Sequence, residues 1–93
     1  RGRRRRTGPV DVFLADSSAG RPRLGVVVPL YGHTAVERNR LQRQLREIGR
    51  REWLPGAWEE GRETDLLLRA RPAAYGATFA ELRGAVVEGV GDR

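Results

Sequence analysis

Hydrophobic positions along this chain follow two different periods. Val10, Val12 and Leu14 alternate with Asp11, Phe13 and Ala15, the two-residue repeat of a strand that turns one face to a core. Residues 23–31, "RLGVVVPLY", are almost continuously apolar, which marks a central strand whose pairing weakens near Pro29. "TDLLLRAR", from Thr64 to Arg71, is a third strand, ended by Pro72. Two further stretches share a helix-start signal. Thr34 is followed by Glu37 and Thr78 by Glu81, each at the Thr-x-x-Glu spacing of a capping box. These predict helices over 35–51 and 79–88, the second followed by a glycine-spaced tail, residues 89–93.

The intervening segments carry turn chemistry. "DSSAGRP" and "WLPGAWEEGRE" have the composition of loops, and residues 1–9, "RGRRRRTGP", form a flexible basic arm closed by Gly8 and Pro9. The order is strand, strand, helix, strand, helix. A strand–helix–strand run from residue 24 to residue 71 implies a parallel pair joined by the first helix. The expected fold class is therefore α/β, an α+β two-layer sandwich of helices on a small mixed sheet. A chain of 93 residues has room for one core, so residues 1–93 form a single domain.

The first helix is strongly two-faced. At about 100° per residue from Arg38, Leu41, Leu45 and Ile48 fall between about 280° and 340°. Arg46, Asn39, Arg50, Arg43, Arg40 and Arg51 fall between about 80° and 220°, with Glu47 the one acidic residue among them. A face built for stability would interleave glutamates four residues from the arginines. This one accumulates like charge instead, which points to a polyanion that neutralises it.

Composition sharpens that picture. Net charge is +6 with 18 basic residues, and every one of them is arginine. Codon bias in a GC-rich genome accounts for the missing lysines but not for the clustering. Guanidinium groups stay charged and grip phosphate oxygens in a bidentate fork, and a pI near 11.3 fits a nucleic-acid partner. There are no cysteines, which excludes disulfide partners, thiolate metal sites and cysteine nucleophiles. No apolar run approaches the roughly 20 residues that span a bilayer, and no signal-peptide core is present. The expectation is a cytoplasmic protein with no membrane partner.

"RLGVVVP" followed by "AVERNRLQRQLRE" resembles the protein subunit of bacterial ribonuclease P, in which an Arg-Asn-Arg helix follows a strand that opens Arg-hydrophobic-Gly. "DLLLRARPAAYGATFAEL" is similar to that family's last strand, Arg-Pro turn and final helix, so the resemblance runs from about residue 10 to residue 88 in order. It implies a left-handed βαβ crossover, against the usual preference. It also implies a ribonucleoprotein endonuclease that removes the 5′ leader of precursor tRNA, with ribonuclease P RNA and precursor tRNA as partners. Catalysis then resides in the RNA, which holds most of the Mg²⁺, and no residue of this chain is catalytic or a metal ligand.

Carried over by position, Arg38, Asn39, Arg40, Arg43 and Arg46 match the family's RNA-facing motif, and Phe13 matches a strand position near the leader. The basic arc of the wheel adds Arg50 to the RNA-binding face, and Tyr31, Arg69 and Arg71 are further leader-binding candidates. Phe13 also stands out without the family, since an aromatic on the less apolar strand face can stack a base. Members usually carry a Lys-Lys pair and Gly-Asn before the helix, where this chain has "LYGHT". The alternatives are a non-catalytic RNA-binding module, or a degenerate paralogue that keeps the fold without leader recognition.

Other residues carry less. His33 precedes a helix cap and needs no chemical role there. Glu59, Glu60, Glu63 and Asp65 balance a basic chain, and Trp53 and Trp58 pin the loop around Pro55-Gly56. No phosphate-cradling glycine loop and no nucleophile–base pair is evident.

Overall fold

The computed structural model describes residues 3–91, with the backbone alone for 3–6. Strands β1 (Arg3–Thr7), β2 (Val10–Asp16), β3 (Arg23–Val27) and β4 (Thr64–Ala70) form one sheet in the order β1-β2-β4-β3. Helix α1 (Ala35–Glu52) joins β3 to β4 by way of a short α2 (Leu54–Glu59), and α3 (Phe79–Gly91) follows a 3-10 turn over Pro72–Gly76. β2 pairs antiparallel with β4, bringing Val12 opposite Leu68, and β3 pairs parallel with β4, bringing Val26 opposite Leu68. The expected α+β sandwich on a mixed sheet is what forms.

Strand alternation decides which sheet face is covered. Val10, Val12, Val26, Leu66, Leu68 and Ala70 are buried beneath α1 and α3. From above, α1 contributes Leu41, Leu45 and Ile48, and α3 contributes Leu82, Ala85 and Val86. Both capping boxes close: Thr34 Oγ1 accepts from the Glu37 amide at 3.1 Å while the Thr34 amide donates to Glu37 Oε1 at 2.8 Å, and Thr78 and Glu81 repeat both distances. That amide, foremost, holds the Glu37 carboxyl below its ordinary range.

Three expectations are corrected. Residues 3–7 of the supposed arm are strand β1, paired with β2 from Arg3 opposite Leu14 to Thr7 opposite Val10. The turn is Gly8-Pro9, with Gly8 at φ +74, the positive angle that a tight hairpin asks of its first central residue. Thr7 Oγ1 donates to the Val10 carbonyl at 3.0 Å and locks it. An edge strand needs backbone pairing more than apolar side chains, so an arginine run can supply one. Second, the stretch read as a loop contains α2, which starts at Leu54-Pro55, where a proline's fixed φ suits the first helical turn.

Third, the tail is helix as far as Gly91. Gly89 is buried against β2: a Cβ there would lie 2.5 Å from Val12 Cγ2 and 2.9 Å from Val12 Cβ. Gly84, on the same helix, is exposed with open space around it. Alanine is favoured over glycine inside a helix by about 1 kcal/mol, so Gly84→Ala should raise the melting temperature. Gly89→Ala should lower it, because overpacking costs about 1–3 kcal/mol. Equal shifts in the two melts would mean that α3 does not seat on Val12.

Candidate nucleic-acid interface

Helix α1 presents its core stripe to the sheet and its opposite face to solvent. Arg40, Arg43, Arg46 and Arg50 are exposed along that outer face. Several other arginines are paired. Arg23 forks onto Asp65 through Nε at 2.9 Å and Nη2 at 2.6 Å, which lowers the Asp65 carboxyl and raises the guanidinium. Arg51 meets Glu47 at 2.7 Å, Arg62 meets Glu60 at 2.6 Å, and Arg83 meets Glu52 of α1 at 2.7 Å. Among the described residues, none of Arg40, Arg43, Arg46 and Arg50 has an ion-pair partner. Their spacing of three or four residues sets them about one helical turn apart, a ladder of fixed cations about 15 Å long.

Arg38 and Asn39 are placed differently. Arg38 is half-buried, its Nε donating to the Val28 carbonyl at 3.1 Å and its Nη1 to Asn39 Oδ1 at 2.8 Å. At 0° on the wheel it borders the core arc, and its guanidinium ties the start of α1 to the end of β3. Asn39 is exposed beside it. The ladder therefore begins at Arg40.

The leader-binding candidates divide between two places. Phe13 lies on the sheet face that no described helix covers, half-buried and paired in register with Leu67. With Ala15, Arg23, Gly25, Asp65 and Leu67 it lines a shallow, mainly apolar groove of about 490 Å³. Arg69 is exposed on this same face, next to Val27 and Asp11 in register. Arg71 is half-buried just beyond β4, its Nη1 4.0 Å from Asp11 Oδ1.

Tyr31 sits instead at the junction before α1. Its backbone is left-handed, at φ +50, and its hydroxyl donates to the Ala70 carbonyl at 3.1 Å. The ring meets Tyr75 edge-on at 6.4 Å, while His33 stacks on Tyr75 at 3.8 Å. The Tyr75 hydroxyl donates to the Pro29 carbonyl at 2.7 Å, and burial pushes its pKa up. This aromatic trio, with Glu37 3.3 Å from His33, clamps the β3 and β4 ends to the helix start.

Trp53 is buried at 4% exposure, as a packing residue should be, but Trp58 is 53% exposed. It shares a groove with Arg21, Arg46 and Arg50 that the sequence did not single out. Among the described residues, no three histidine, aspartate or glutamate side chains converge to hold a metal ion. No helix among them is long and apolar enough to cross a membrane.

The family model described as Ribonuclease P matches residues 1–92. A ribonuclease P protein component from Thermus scotoductus is 48% identical over 60 residues, which is 64% of this chain and 33% of that protein. The chain thus spans about a third of the length of that curated relative. Among solved structures, the Staphylococcus aureus RNase P protein superposes with a TM-score of 0.75 at 20% identity, over 97% of this chain and 79% of that one. The RNase P protein from Thermotoga maritima gives 0.72 at 23%, over 94% and 79%. At these identities the structural likeness speaks for the fold.

Proposed function

The chain belongs to the Ribonuclease P family, and from that membership we propose that it acts as the protein subunit of ribonuclease P, a ribonucleoprotein endonuclease of tRNA 5′ maturation. One observation carries the reading: the outer face of α1 holds Arg40, Arg43, Arg46 and Arg50 without acidic partners among the described residues, although five other arginines have them. Unpaired guanidinium groups in a row suit the phosphates of a large structured RNA. In this reading the partner is ribonuclease P RNA and the substrate precursor tRNA, in the cytoplasm. Mg²⁺ is the cofactor in this reading and sits mainly on the RNA. The uncovered sheet face, with Phe13 in its apolar groove and Arg69 nearby, takes the 5′ leader.

The test is reconstitution. Protein freed of RNA and given Mg²⁺ should leave precursor tRNA intact. With ribonuclease P RNA it should give a single cut at the mature 5′ end, at lower Mg²⁺ than the RNA alone requires. Phe13→Ala should weaken precursor tRNA binding by about 5- to 150-fold, the range of one lost base stack, and leave mature tRNA little changed. Equal losses on both substrates would assign Phe13 to packing. Cleavage by the protein alone would point to an active site of its own, and no effect on any ribonuclease P RNA would favour the degenerate paralogue.

A further inference from the structure

The groove at the far end of α1 combines features that packing does not explain. Helix α2 begins immediately after α1 and brings Trp58 beside Arg46 and Arg50. The loop before β3 adds Arg21 at the rim. The space they enclose is about 370 Å³, within the roughly 300–1,000 Å³ of small-molecule sites. Trp53 and Trp58 flank the same Pro-Gly step, yet only Trp53 is consumed by the core. Among the described residues, no guanidinium stacks over the Trp58 ring, and Arg21, Arg46 and Arg50 have no ion-pair partner.

We propose that Trp58, with Arg21, Arg46 and Arg50, forms a capture site for an unpaired nucleotide of RNA, the base stacking on the indole and its flanking phosphates held by the arginines. Each part has its physical counterpart. An indole is a sequence-tolerant platform, because every base has a π face. Arg46 and Arg50 are one turn apart, about 6 Å along the axis, and so grip successive points of a backbone from one side. Arg23 also lines the groove, but its fork onto Asp65 commits it to the sheet. An acidic peptide would engage the guanidinium groups and leave the exposed indole without a role. The site deepens the RNA-binding reading above and rests on it. It places a single-stranded contact at the end of the cationic ladder remote from Tyr31, in a groove that adjoins the Phe13 groove across Arg23 and Leu24.

The experiment uses the full chain with two probes, a short uridine oligonucleotide and ribonuclease P RNA, followed by tryptophan fluorescence and by affinity over a salt series. Stacking should quench Trp58 with either probe, and Trp58→Phe should remove that signal while keeping most of the affinity. Trp58→Leu should weaken oligonucleotide binding by about 5- to 150-fold with the salt slope unchanged. Arg46→Gln with Arg50→Gln should lower that slope by about 1.4. Wild-type affinity in Trp58→Leu, with no quenching by either probe, overturns the site even if ribonuclease P RNA still binds. Quenching by the oligonucleotide with no affinity for ribonuclease P RNA keeps the site and rejects the ribonuclease P reading. Equal quenching by polyglutamate would make it an acidic-peptide site and overturn the proposal.

Discussion

Replacing Arg40, Arg43, Arg46 and Arg50 together by glutamine is expected to cut affinity for ribonuclease P RNA by about 200- to 1,000-fold at 0.15 M salt. Each phosphate contact releases about 0.7 to 0.9 counterion, so four lost contacts reduce the slope of log K against log salt by about 2.8 to 3.6. Between 0.15 M and 1 M, where the electrostatic contribution is small, that difference accumulates to between two and three powers of ten. The four side chains are exposed and unpaired among the described residues, so the melting temperature should hold. It should even rise slightly, because the ladder's self-repulsion is relieved at some tenths of a kcal/mol per pair. Titration of labelled RNA at several salt concentrations reads the effect. An unchanged slope with the fold intact would remove α1 as the docking face.

Leu68→Ala should be the most damaging single change to stability. Leu68 is fully buried on β4, one of the two inner strands, between Val12 of β2 and Val26 of β3 and below both long helices. A leucine-to-alanine change at such a site costs about 2–5 kcal/mol. A domain of this length holds roughly 5–14 kcal/mol in all. The melting midpoint should fall by about 10–35 °C. By contrast, truncating Leu67, which points to the uncovered face at 36% exposure, should have a far smaller effect. Similar losses at both positions would mean that the open face is covered in solution.

Most of the fold was legible because β2, β3, β4, α1 and α3 each carried a local signal. The capping boxes marked both helix starts, and alternation along Val10–Leu14 assigned the faces of β2 correctly. The wheel separated Leu41, Leu45 and Ile48 from the arginines as the structure does. What stayed hidden was non-local. β1 lacks an apolar pattern, and its evidence was the Gly8-Pro9 turn rather than its own residues. Gly89 reads as tail until Val12 is found against it. Arg38 looked like one more arginine of an RNA face, although its wheel angle already set it beside Leu45. The groove at Trp58 joins residues 21, 46, 50 and 58, and nothing in linear order brings those together.

The position of β4 in the sheet sets a condition on how the chain comes to be folded. It is the last of the described strands to be synthesised, yet it lies between β2 and β3. A nascent chain that has emerged only through residue 63 lacks the strand with which β2 and β3 both pair. Neither the parallel nor the long antiparallel ladder can form before residues 64–70 leave the ribosome. The hairpin of β1 with β2 and the local turns of α1 are available earlier, because their contacts are close in sequence. The arginine ladder can therefore be helical and solvent-facing before the sheet that seats it exists. Translation can thus deliver the charged surface ahead of the core, and the sheet closes only once β4 has emerged, with α3 still to follow.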